Sequence, residues 1–379
     1  MDVTLVCDIM MDLEGSIRPA MYLANELVAK GYNVSMMSPI MSDDVEERLR
    51  VSGIIPINLR AKLIGKNSGL SLLWFETWIR EAFFGLNSRC NIVKSSIVIN
   101  FSQVIAIPSS VWYLQGPLSL ALRDLEKEFA SSFKITYNLL KPVIEYADRR
   151  LVNRMANISA RIVANSKFCA SMYSFFGVDV NDVIYPPIDC QVFHPSTSNP
   201  SSDYVLTYFG KETEFSVIKK IADMNVKIKA FGSKTPFIPE KLLNHPNIDY
   251  LGKVSTNKLV NLYSNALFTF FPFTHEPFGY VPLESIACGT PVLTKNIQGP
   301  SEYVLHNRTG WLANSENELV EKVVELWRDT YPSEIREDCV KLASKFDKRI
   351  YFGKWLKILA LLKEKTPKKL TLYSPVDYF

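Results

Sequence analysis

The sequence predicts an α/β protein of two Rossmann-like, doubly wound parallel-sheet domains facing each other across a cleft. Three observations predict it. The chain has 379 residues, more than one ordinary core accommodates and enough for two domains of roughly 150–200 residues each. Short β-branched runs alternate with longer helical patterns almost from end to end, the signature of parallel sheets with helical crossovers. A Pro- and Ser-rich break interrupts that alternation near the middle, where neither a helix nor a central strand can form.

The first domain, residues 1–195, opens with a strand at Val3–Cys7 and a loop holding Gly15. A helix through Met21–Val28 is closed by Lys30-Gly31, where glycine supplies the C-terminal cap. Val34–Met37, Ile54–Leu59, Ser96–Phe101, Val111–Leu114, Arg161–Ala164 and Val183–Tyr185 read as further strands. The break is Tyr185-Pro-Pro-Ile-Asp189 followed by His194-Pro-Ser-Thr-Ser-Asn-Pro-Ser-Ser-Asp203. The second domain, residues 203–345, restarts the pattern with strands at Val205–Phe209, Lys227–Phe231, Ile248–Leu251, Leu267–Phe271 and Pro291–Leu293. Ser315–Leu362 is helical by periodicity. Sheets of this kind bind ligands beyond their strand C-termini, so the site is expected in the cleft.

Composition narrows the function. A hydrophobic share of 47% with 22% charged residues is that of a globular chain. The net charge of +4 lacks the concentrated basic surface of a nucleic-acid binder, and no nucleic-acid partner is expected. Six scattered cysteines form no CxxC and read as reduced, mostly buried thiols of a cytoplasmic protein. The four histidines all lie at or after His194, so the first half has almost no material for a metal centre or a Ser-His-Asp triad. Met1–Asp8 carries no basic n-region of a signal peptide. The longest apolar stretch, Ile97–Leu114, is broken by Asn100, Gln103 and Pro108, which hydrocarbon does not tolerate.

The chemistry concentrates in Phe273-Thr-His-Glu-Pro-Phe-Gly-Tyr-Val-Pro-Leu-Glu-Ser-Ile-Ala-Cys-Gly-Thr-Pro-Val292. An apolar strand precedes it, Pro277 and Gly279 turn it, and a helix capped at Gly289 follows. Glu276 falls in the turn and Glu284 inside the helix. The amides of Gly279, Tyr280 and Val281 then occupy the helix's first turn, where they lack internal partners and the dipole is positive: an anion site suited to a diphosphate. Two glutamates eight residues apart, taken alone, favour a surface turn before an ordinary helix with Glu284 solvated.

The flanking residues decide otherwise. The segment resembles the E-x7-E signature of the retaining glycosyltransferases of family 4, which have the two-domain GT-B fold. The likeness continues through Gly299-Pro-Ser-Glu302-Tyr-Val and Thr309-Gly-Trp-Leu312. Ala164-Asn-Ser-Lys-Phe168 and Val183-Ile-Tyr-Pro-Pro-Ile-Asp189 extend it, the latter similar to the family's lipid-linked-oligosaccharide mannosyltransferases. It is clear over most of residues 160–345 and weak before them. By resemblance, Glu276 lies beside the donor sugar and Glu284 binds the nucleotide ribose. The first domain would take the acceptor, the second the nucleotide sugar, and a C-terminal helix, about 348–379, would pack back on the first. A UDP- or GDP-sugar co-substrate, a glycan or lipid-linked glycan acceptor and no other cofactor are implied.

The departures are specific. Phe209-Gly210-Lys211 carries Lys where the family commonly has Arg for the donor diphosphate, a point charge instead of a planar fork. The family's second Lys has no clear match before Lys219. Its Gly-Gly loop is reduced to Glu14-Gly15-Ser16, which still lets backbone approach a donor phosphate. No histidine precedes His194, and Trp112-Tyr-Leu-Gln-Gly-Pro117 offers Gln115 by position on the acceptor side. No Asp-x-Asp occurs, so no metal is expected, and Lys211 with the helix N-terminus would stabilise the leaving diphosphate. These departures keep two alternatives open: a catalytically silent nucleotide-sugar-binding subunit, and a sugar-nucleotide epimerase on the same fold. Two segments bear on a peripheral membrane contact at the inner face. Leu72–Phe84 reads either as an interfacial helix or as a buried one, and Lys363–Lys369 as a basic lipid contact or a solvated tail.

Overall fold

The computed structural model describes residues 1–13, 15–63, 70–84, 96–126, 131–232 and 238–365. The first sheet contains β1 (Asp2–Val6), β2 (Asn33–Ser38), β3 (Ile55–Asn58), β4 (Ile97–Asn100), β5 (Val111–Leu114), β6 (Ile162–Ala164) and β7 (Asp182–Val183). All pair in parallel in the order β3-β2-β1-β4-β5-β6-β7. Its helices are α1 (Arg18–Ala29), α2 (Asp43–Val51), α3 (Leu70–Phe83), α4 (Leu118–Leu125), α5 (Ser131–Asn157) and α6 (Lys167–Ser174). The second sheet repeats the winding with β8 (Val205–Tyr208), β9 (Ile228–Phe231), β10 (Ile248–Gly252), β11 (Thr269–Phe271), β12 (Val292–Lys295) and β13 (Gly310–Ala313), ordered β10-β9-β8-β11-β12-β13. Around it lie α7 (Phe215–Asp223), α8 (Glu240–Leu243), α9 (Thr256–Asn265), α10 (Tyr280–Ala287), α11 (Glu316–Asp329) and α12 (Glu334–Ala343). In each sheet the winding reverses beside the strand that starts it, between β1 and β4 and between β8 and β11. Such switch points open a crevice at the strand C-termini.

The last helix, α13 (Lys348–Lys365), crosses back to the first domain. Tyr351, Phe352, Trp355, Ile358 and Leu359 join the core formed by Leu5, Leu23, Leu27 and Ile99. Trp355 is fully buried against the rings of Phe101 and Tyr113, and the Tyr351 hydroxyl donates to the Pro19 carbonyl at 3.0 Å. Both ends of the chain therefore stabilise one core, and α1 is held from two sides.

Several elements differ from the expectation. The helical stretch 315–362 is three helices, broken where Thr330 takes a positive φ of 58° ahead of Pro332, and again at Ser344–Phe346. The edge strand β13 and the helices α4 and α5 were not anticipated. The aromatic segment Leu72–Phe84 resolves in favour of burial: Trp78, Thr77, Glu81 and Ala82 on α3 are shielded from water, and the Trp78 indole donates to Asp148 on α5 at 3.3 Å. The greater part of the basic tail lies outside the described residues, as do Glu14 and Cys90. Among the described residues the cysteines are free thiols, with Cys7, Cys169, Cys288 and Cys339 buried, and no helix is long and apolar enough to cross a membrane.

Candidate functional site

The two switch points face one cleft of about 870 Å³. Its second-domain wall begins where β11 ends and the chain turns into α10. Gly279 makes that turn with φ of +95°, and a Cβ there would come within 2.9 Å of the Tyr303 hydroxyl, so both backbone and space require glycine. Glu276 sits in the turn, partly open to the cleft. Its carboxylate accepts the Phe278 amide at 3.3 Å and that of Gly279, while its own amide donates to the Gln298 side chain. Burial, and then the neighbouring Glu212 carboxylate, raise the Glu276 carboxyl to about 7; the two amides and Lys211 pull the other way. Near neutrality the carboxyl is therefore partly protonated.

Glu284 lies one turn into α10 and is buried. One carboxylate oxygen accepts the Tyr263 hydroxyl at 3.2 Å. The other is paired at 2.5 Å with Arg18, which comes from the first turn of α1 in the opposite domain. The Arg18 guanidinium stacks on the Tyr280 ring, 4.1 Å from its centroid. A carboxylate this buried needs a counter-charge, and the first domain supplies it.

Gly15, Ser16 and Gln115 line the cleft from the first domain, and Lys211, Glu276, Gly279, Tyr280, Val281 and Glu284 from the second. The Gln115 amide is anchored on the Phe101 carbonyl at 2.9 Å. Lys211 is extended, its side chain 70% exposed and 3.6 Å from Glu212. Gly210 does not line the cleft: it is buried, its amide bonded to the Thr213 hydroxyl, and a Cβ there would lie 2.3 Å from the Tyr208 ring. Lys219 does not line the cleft; it pairs with Asp223 on α7.

The domains are clasped beside this site. Glu302 accepts the amides of Lys167 and Phe168 at the α6 N-terminus, at 3.0 and 2.6 Å, and the Tyr185 hydroxyl at 2.7 Å. Ser166 donates to the Pro277 carbonyl, and His275 meets Asp124 of α4 at 2.8 Å. Gly116, at φ of +129°, lets Pro277 approach so closely that a Cβ would lie 3.1 Å from its ring. The loop bearing Glu276 is thus held against the first domain on both sides. The sequence reading missed Arg18 and the His275–Asp124 pair. A cation in a helix's first turn runs against the dipole, and that local cost was the available sign that Arg18 has a partner.

With this geometry in place, comparison with known proteins is informative. Residues 234–346 match the family model described as glycosyl transferases group 1. The match covers less than a third of the chain, in the second domain, and contains Glu276, Glu284 and the turn between them. An uncharacterized glycosyltransferase of Methanocaldococcus jannaschii is 29% identical over 151 residues, 38% of this chain and 41% of that protein. D-inositol 3-phosphate glycosyltransferase of Paenarthrobacter aurescens is 26% identical over 223 residues, 50% of this chain and 54% of the relative. The chain thus spans about half the length of the curated relatives it matches. Among solved structures, Anabaena HepE in complex with UDP and glucose superposes with a TM-score of 0.68 at 16% identity, covering 94% of this chain and 99% of that one. The two-domain fold is GT-B.

Proposed function

We propose that the protein is a retaining glycosyltransferase that moves a hexose from a UDP- or GDP-sugar to a glycan or lipid-linked glycan hydroxyl, in glycan biosynthesis. The observation that carries this reading is that Glu276, Glu284 and Lys211 converge on one cleft between two domains. A relative named as a D-inositol 3-phosphate glycosyltransferase, and a structural neighbour solved with UDP and glucose, support it. Glu284 accepts the ribose hydroxyls, exchanging Arg18 for them. Glu276 holds the sugar hydroxyls, its raised pKa letting it donate as well as accept. Lys211 and the first-turn amides of α10 stabilise the leaving diphosphate, which needs no metal in this scheme. The anomeric C–O bond to the diphosphate breaks with its electron pair on the phosphate oxygen. The acceptor oxygen bonds the same face of the sugar, and its proton passes to that phosphate.

The test is transfer of labelled sugar from a panel of nucleotide sugars, by wild type and by Glu276→Gln, with the anomeric configuration of the product determined. Retained configuration and loss of transfer in the variant are expected. An inverted product would overturn the retaining mechanism, and full transfer by the variant would overturn the role of Glu276.

A further inference from the structure

Among the described residues, the outer face of α5 exposes several large apolar side chains. Ile135, Leu139, Val143 and Tyr146 are 72, 79, 53 and 62% exposed, and Leu140 and Pro142 are exposed as well. At 100° per residue, positions 135, 139, 142, 143 and 146 fall in one stripe, about 17 Å long at the helical rise. The opposite side of the same helix, with Tyr137, Ile144, Ala147, Leu151 and Met155, is buried in the first-domain core. The outer stripe therefore contributes nothing to that core and leaves a contiguous apolar patch in water, an arrangement that marks an interaction surface.

The charges beside the patch name the partner. The stripe runs on into Arg149 and Arg150, both exposed, and Lys134 sits at its start; Glu145 is the acidic residue among them, while Lys141 pairs with Glu126. An exposed apolar stripe framed by cations, ending in a tyrosine, is the pattern of a helix lying in a bilayer interface. Arg149 donates to the carbonyl of Phe175, whose 66% exposed ring rims a second cavity of about 400 Å³. Gln298, on the inner wall of that cavity, receives the backbone amide of Glu276.

We infer that the outer face of α5 docks the protein on an anionic lipid bilayer, with Ile135, Leu139, Val143 and Tyr146 among the acyl chains and Arg149 and Arg150 at the headgroups. This inference stands apart from the donor site, and the failure of either leaves the other intact.

The test uses the full chain with vesicles of phosphatidylcholine alone and of phosphatidylcholine mixed with phosphatidylglycerol. Co-sedimentation is compared among wild type, Arg150→Gln and the triple variant Ile135→Glu, Leu139→Glu, Tyr146→Glu. All substituted side chains are exposed, so circular dichroism and melting temperature are expected to be unchanged. Wild type binds the anionic vesicles, and less as salt rises; the triple variant binds at least about tenfold more weakly, and Arg150→Gln loses part of the anionic preference. Wild type that ignores anionic vesicles, or a triple variant that binds like wild type, would overturn the inference. So would a wild-type dimer, seen by light scattering, that the triple variant converts to monomer, since a second copy would then own the face.

Discussion

Arg18 and Glu284, 266 residues apart in sequence and in different domains, share an ion pair at 2.5 Å inside the cleft. The pair is a structural element in its own right, because Glu284 is buried and Tyr263 is its other partner. Removing one member of a buried pair leaves an uncompensated charge, whereas removing both does not. Arg18→Met is therefore expected to destabilise the protein by about 3 kcal/mol, the low end for a buried pair because the Arg18 side chain is partly exposed. The double variant Arg18→Met, Glu284→Gln should recover most of that loss. Urea unfolding of the four proteins measures the coupling; simple addition of the two single losses would refute it.

Glu276 makes stability depend on pH. Its carboxyl is raised from 4.5 to about 7, so the folded protein holds a proton that the unfolded chain has released between those values. Where the folded state binds more protons, stability falls as pH rises. Its contribution is thus most favourable below about pH 4.5, declines through pH 7 and is then constant. Buried Asp8 and Asp148 are shifted in the same direction, so the diagnostic quantity is the difference between proteins. Glu276→Gln should gain on wild type by on the order of 2 kcal/mol between pH 5 and 8. A melting-temperature difference that does not change with pH would contradict the assignment.

Lys211 separates binding from folding. Among the described residues its side chain pairs with Glu212, at 3.6 Å and largely exposed, so Lys211→Ala should alter unfolding free energy by no more than about 0.5 kcal/mol. A charge-assisted contact to phosphate is worth about 1.5–3 kcal/mol, so the same variant should bind a nucleoside diphosphate roughly ten- to hundredfold more weakly. Affinity for the parent nucleoside should not change. Calorimetric titration with both ligands checks this, and equal losses for the two would remove Lys211 from the phosphate site.

Much of this architecture was legible because its signals are local. The strands of both sheets are short runs of β-branched and aromatic residues, and the turn into α10 is announced by Pro277 and Gly279 within a few residues of both glutamates. The long helix α5 was missed because it is apolar on two sides: Tyr137, Ile144 and Leu151 face the core while Ile135, Leu139 and Tyr146 face out, which blurs a one-sided period. The edge strand β13 reads Gly-Trp-Leu-Ala, and Gly and Ala are residues depleted in strands. Arg18–Glu284 and His275–Asp124 are contacts between domains, and no local pattern encodes a partner 266 or 151 residues away. Gly210 reads as a phosphate loop in sequence, yet the Tyr208 ring fills the space its side chain would need.

The central claim is that the cleft holds a nucleoside diphosphate through Glu284. Melting of wild type and Glu284→Gln with UDP, GDP and ADP tests it most directly, since a ligand at about 100 times its Kd stabilises by roughly 2.7 kcal/mol. One of the three should raise the wild-type melting temperature and leave that of Glu284→Gln unchanged. No shift with any nucleotide, or an equal shift in the variant, would contradict the claim.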